Sequence, residues 1–86
     1  MKDLEKIYKA LANRRRLSIL KFLKDKREAS VSDIAAYLRL SFRSTSKHLA
    51  VLKAAEVIER EQRSLSVFYS LNSTLHPIVK HLLTLV

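Results

Sequence analysis

The chain's 86 residues (9.9 kDa) suffice for one small domain, of a size that buries roughly 60–65% of its unfolded surface. The absence of Gly excludes glycine-rich nucleotide-phosphate loops, and the absence of Cys excludes disulfides, thiolate metal sites and cysteine nucleophiles. Seventeen Lys and Arg against eight Asp and Glu leave a net charge of +9, a balance that favours a polyanionic partner.

From Lys2 to Ala12, the residues Leu4, Ile7, Tyr8 and Leu11 recur at helical spacing and form one apolar stripe. Asn13 interrupts the pattern. Leu17, Ile19, Leu20, Phe22 and Leu23 then crowd two faces of a second helix, the expected centre of the core. The charged stretch from Lys24 to Glu28 reads as a loop. Ser32 is the expected cap of a short third helix that turns Ile34, Ala35 and Leu38 inward, and Ser41 caps a fourth. In that fourth helix Phe42, Thr45, Leu49 and Leu52 form a buried stripe, with Arg43, Lys47, Ala50 and Ala54 opposite.

Beyond Ala55 the period falls from 3.6 to 2. Leu65, Val67, Tyr69 and Leu71 alternate with serines, and Val57 to Gln62 is the partner strand of a hairpin tipped around Arg63 and Ser64. Pro77 suits the first position of a last helix capped near His76, whose apolar face continues through Leu75, Ile78, Val79, Leu82 and Val86. The expected fold is therefore mainly α with a small β-hairpin. A short and a longer helix joined at Arg39 to Ser41 match a helix-turn-helix over 32–55, and the hairpin over 57–71 makes it winged. No repeat, linker or low-complexity tract divides the chain, so one domain spans 1–86.

The stretches YKALANRRRLSILKFL, SKHLAVLKAAEV and SVFYSLN resemble the ArsR/SmtB family of winged-helix repressors over nearly the whole chain. The resemblance implies a homodimer joined through its first and last helices, bound to a pseudo-palindromic operator and released by an effector. Ser30 and Ser32 stand where metal-sensing relatives carry cysteines, and hydroxyls are poor ligands for soft metals. His76 and His81 project about 140° apart on a helix. No metal or other cofactor is expected, and no effector is identified.

DNA contacts are expected from Ser41, Phe42, Arg43, Ser44, Ser46 and Lys47 on the fourth helix and from Arg60, Arg63 and Ser64 on the wing. Phe42 is expected in the buried stripe, with a thymine methyl as its alternative contact. Arg14 and Arg15 read equally as a solvated helix start or as phosphate ligands, Arg16 reads as structural, and His48 as packed or locally bonded. The apolar surplus of helices 2–12 and 77–85 calls for a dimer interface of Leu4, Ile7, Tyr8, Leu11, Ile78, Val79, Leu82, Leu83 and Val86. The alternative is that the last helix closes the core of one copy.

No nucleophile, base and orienting group can be assembled, so the chain is not expected to be an enzyme. No run of about 18 apolar residues exists and the start MKDLEKIY carries acids, which leads to the expectation of a soluble cytoplasmic protein without membrane contact. The leading expectation is a homodimeric regulator, most simply a repressor, that binds double-stranded DNA by sequence. A winged-helix module that docks a protein and a non-specific architectural DNA binder are the alternatives.

Overall fold

The computed structural model describes residues 2–86. Its elements run α1 (Lys2–Leu11), α2 (Arg14–Lys26), β1 (Glu28–Ser30), α3 (Val31–Leu38), α4 (Phe42–Ala54), β2 (Ile58–Arg63), β3 (Ser66–Leu71) and α5 (Pro77–Leu85). This is the mainly helical winged helix-turn-helix that the sequence leads one to expect.

The helix starts are set by capping side chains that satisfy otherwise orphaned N–H groups. Asn13 Oδ1 accepts from the Arg16 N–H at 3.1 Å, which turns the chain sharply between α1 and α2. Ser41 Oγ accepts from the Ser44 N–H at 3.0 Å. His76 Nδ1 accepts from the Ile78 N–H at 3.1 Å, ahead of Pro77 in the first turn of α5. For α3 the expectation needs correcting, because Ser30 is the cap and Ser32 lies inside the first turn. Ser30 ends β1 in extended backbone, so its Oγ meets the Asp33 N–H at 3.1 Å before Ser32 is reached.

The expected loop over Lys24 to Glu28 is also corrected. α2 continues to Lys26, Arg27 bends the chain with φ 72°, and Glu28 already belongs to β1. Basic residues suit the electronegative C-terminus of a helix, so a charged stretch there need not end it. Lys24 is drawn to another helix end as well: its Nζ donates to the carbonyls of Leu83 and Val86 at 2.6 and 3.2 Å, closing the end of α5.

Because of β1, the expected two-stranded hairpin is a three-stranded antiparallel sheet in the order β1-β3-β2. Ala29 faces Tyr69 on one side of β3, and Arg60 faces Tyr69 on the other. As the central strand, β3 is half-buried from Val67 to Leu71, without the clean inward and outward alternation expected of a wing strand. Arg63 pairs with Ser66, so the turn is Ser64 and Leu65 rather than Arg63 and Ser64. Leu65 does not join the inward face; it is 97% exposed at the tip.

The core is built from Ile19, Leu20 and Leu23 of α2, Ile34 of α3, Leu49 and Leu52 of α4, Val57 and Ile58 after it, and Val79 of α5, all at 1% exposure or less. Thr45 is buried among them with its Oγ1 donating to the Ser41 carbonyl at 2.9 Å, so no polar atom is stranded there. Of the terminal apolar residues, Ile7, Leu11 and Val79 belong to this core, whereas Leu4, Ile78, Leu82 and Leu83 are half-buried. Tyr8, Leu85 and Val86 remain 55%, 69% and 38% exposed.

Candidate nucleic-acid interface

The orientation of α4 follows from its sequence. Thr45, Leu49 and Leu52 are fully buried, and at 100° per residue this turns Arg43, Lys47, Ala50 and Ala54 to the opposite side, where all four are exposed. Ser44 is exposed as well, Ser46 is half-buried, and Ser41 is exposed while its oxygen caps the helix. The first helix of the pair, α3, ends in a reversal in which Leu40 N–H donates to the Ala35 carbonyl at 3.1 Å and Arg39 adopts φ 57°. That reversal aims the start of α4 away from the body of the domain.

Phe42 is not part of the buried stripe. It is 62% exposed, which overturns the expectation of burial. Side chains tilt toward the helix N-terminus, so a first-turn residue projects past the end of the core that its angular position would otherwise share. There it lines a depression of about 340 Å³ with Val31, Leu65 and Val67.

On the wing Arg60 is exposed, Ser64 sits at the tip with φ 57°, and Arg63 is heavily engaged. The Arg63 guanidinium binds the Glu28 carboxylate of β1, lies 2.8 Å from Glu61 Oε1, and stacks 4.3 Å from the centre of the Phe68 ring. The arginine thus ties the hairpin to β1. Its pairing with Glu28 was invisible to local sequence reading, since it depends on a strand too short to carry a period.

A second junction lies behind α4. Arg16 Nε donates to the Ala10 carbonyl at 2.6 Å and its terminal amino group to the Lys9 carbonyl at 3.1 Å, closing the end of α1. The remaining guanidinium nitrogen lies 3.3 Å from His48 Nδ1 on α4. Arginine can only donate, so His48 accepts through Nδ1 and carries its proton on Nε2. Burial, with the charges of Arg16 and then Arg15, holds the His48 imidazole below its ordinary range. Arg16 is structural, as expected, with carbonyls and an imidazole as its partners. His48 bonds across the fold, not locally.

Among the described residues no group of three or more His, Cys, Asp or Glu is placed to hold a metal ion. Within the same residues no helix is long and apolar enough to cross a membrane.

An outward basic helix held by a shorter helix and flanked by a hairpin defines a winged helix-turn-helix protein. The sequence profile of the bacterial regulatory protein arsR family matches residues 13–60, and the chain belongs to that family. It is 41% identical over 68 residues to the transcriptional activator HlyU of Vibrio cholerae, a match covering 79% of this chain and 62% of HlyU, and so less than two thirds of that relative's length. It is 38% identical over 68 residues to the transcriptional repressor SdpR of Bacillus subtilis, covering 79% of this chain and 74% of SdpR. The solved structure of HlyU from Vibrio cholerae superposes with a TM-score of 0.82 at 36% identity, covering 98% of this chain and 87% of that one. The homodimeric winged helix-turn-helix DNA-binding domain from Mycobacterium bovis gives 0.82 at 28% identity, with coverages of 98% and 74%. HlyU is thus a transcriptional activator and SdpR a transcriptional repressor.

Proposed function

We propose that this chain is a homodimeric, cytoplasmic transcriptional regulator that binds a pseudo-palindromic operator in double-stranded DNA by sequence and represses by obstructing polymerase. The observation that carries the reading is the exposed face of α4, where Arg43 and Lys47 stand one turn apart on a helix whose other face is locked into the core. A helix about 10–12 Å across fits a major groove about 12 Å wide. In that groove Arg43 reads a base edge, Lys47 meets phosphate, and Ser41, Ser44 and Ser46 supply short hydroxyls to the backbone. Phe42, being exposed, is available to a thymine methyl. Arg60 and Ser64 approach the neighbouring backbone, while Arg63 chiefly holds the wing in place.

One copy presents one reading helix, and half-sites about 34–36 Å apart need two copies. Tyr8, Leu85 and Val86, with the half-buried Leu4, Ile78, Leu82 and Leu83, offer the apolar surface for that pairing. Ile7, Leu11 and Val79 support it from within the core. The domain boundaries proposed are one unit over 1–86, with helix-turn-helix 32–55, wing 57–71 and pairing helices 2–12 and 77–85. No effector is assigned.

Fluorescence anisotropy on genomic fragments, including the one upstream of the chain's own gene, tests the reading in about 50–200 mM salt against random competitor DNA. Tight, salt-steep binding that survives competition on one fragment is expected, and Arg43→Ala should then weaken that fragment by about 1–3 kcal/mol with much less effect on random DNA. Equal binding to every fragment would instead make the protein an architectural binder. The exposed apolar pair Phe42 and Leu65 favours protein docking as the second reading, to which salt-insensitive behaviour and no DNA binding would lead.

A further inference from the structure

Three consecutive arginines open α2, and no acidic residue stands in its first turn. Only Arg16 is used internally, by the end of α1 and by His48. Arg14 and Arg15 are exposed, and among the described residues the ion pairs are Lys9 with Glu5 and Arg63 with Glu28 and Glu61, so neither arginine has an acid within 4.0 Å. Adjacent guanidinium groups repel each other, and the positive end of the helix adds to the repulsion. Among the described residues no acidic side chain is placed to offset it.

The position of this pair relative to α4 is set by the Arg16 to His48 contact. With the buried residues Thr45, Leu49 and Leu52 taken as the inner face, His48 lies on the flank of α4, about 60° from its centre and well short of the outward Arg43 and Lys47. The Arg16 side chain therefore reaches from the start of α2 to the flank of the reading helix at mid-length. Arg15 is near enough for its charge to act on the His48 ring. A helix that fills the major groove has a phosphate strand along each side, so whatever packs on its flank is brought against one of those strands.

We infer that Arg14 and Arg15 form a backbone-phosphate clamp on double-stranded DNA, separate from the helix-turn-helix and wing contacts, that grips the strand bordering the groove occupied by α4. The inference rests on the DNA-binding reading above. Its ligand is the phosphodiester, so it adds affinity equally on all sequences and none of the discrimination.

The test needs no knowledge of the operator. Wild type, Arg14→Gln/Arg15→Gln and Lys21→Gln/Lys26→Gln are titrated onto a mixed-sequence 30-base-pair duplex at several salt concentrations. The second variant removes the same charge from exposed positions further along the same helix, Lys26 lying about 18 Å from Arg14. The clamp requires the slope of log K against log salt to become shallower by about 2 for the arginine variant, at about 0.9 per phosphate contact, and to stay within a few tenths of wild type for the lysine variant. Equal changes in both variants, or none in the arginine variant while wild type binds, would overturn the clamp and leave the DNA-binding reading intact. A wild type without salt-dependent binding would overturn both. Thermal midpoints no lower than that of wild type verify that the exposed substitutions leave the fold alone, and relief of the repulsion should raise that of the arginine variant slightly.

Discussion

Among the described residues four non-glycine residues hold positive φ: Arg27, Arg39, Glu56 and Ser64. Glu56, with φ 59°, closes α4 as the Glu56 N–H reaches the Lys53 carbonyl at 2.9 Å and the Val57 N–H the Leu52 carbonyl at 3.1 Å. This double bond is the helix-ending arrangement that usually takes glycine, and a Cβ there costs of order 1 kcal/mol. Glu56→Gly is expected to stabilise the domain by up to about 0.5 kcal/mol once the extra backbone freedom of glycine in the unfolded chain is deducted. Thermal denaturation at fixed protein concentration would show a rise of a few degrees, and a fall would mean that the Glu56 side chain contributes something its exposure does not reveal.

His48 carries a second prediction at this scale. Its folded value lies below the ordinary 6.5, so between the two the unfolded chain binds more protons than the folded one. The His48 contribution is fully present above pH 6.5 and is lost as pH falls through that value toward the lower folded one. Lowering the pH from about 7.5 to about 5.5 should therefore reduce the midpoint more in wild type than in His48→Gln. Parallel losses in the two proteins would show that the imidazole has no such part.

Between elements, two guanidinium groups make joints that no single element could make alone. Arg16 fastens α1 to α2 and to α4, and its bonds to the Ala10 and Lys9 carbonyls are charge-assisted. Replacing it with Ala should cost about 1–3 kcal/mol in denaturant unfolding, since the carbonyls at the end of α1 lose their partner. The same variant should raise the His48 titration measured by NMR, because a neighbouring positive charge is gone. Arg63 is different in kind. Its pairs with Glu28 and Glu61 are about half-exposed, and exposed pairs contribute little to global stability. Its role is the orientation of the wing on β1.

At the scale of the molecule, the apolar surplus that the sequence places at both ends is only partly consumed by one copy. Ile7, Leu11 and Val79 complete the core, while Tyr8 and Leu85 stay outside it. If those two line the pairing face, Tyr8→Asp with Leu85→Asp should shift sedimentation or light-scattering mass from dimer to monomer while the circular dichroism of the single chain persists. A variant that remains dimeric would place the interface elsewhere. DNA affinity should fall with the dimer, because two linked half-site contacts become two independent ones.

What the sequence determined by itself was whatever repeats over short range: the 3.6-residue stripes of α1, α2, α4 and α5, the caps at Ser41 and His76, and the presence of the two wing strands. From those, and from the density of Lys and Arg, the helix-turn-helix and its basic face were legible. Tertiary structure alone decided the rest. β1 is three residues long and exists because it pairs with β3; Phe42 is exposed because the core ends before it reaches the end of α4; and Arg16 is committed to α1 and His48 while Arg14 and Arg15 are left unpaired. Periodicity reports which face of an element is apolar, because burial of that face is averaged along its length. It does not report where along the element its neighbours stop, nor which distant partner a charged side chain will meet, and these depend on contacts between residues far apart in the chain.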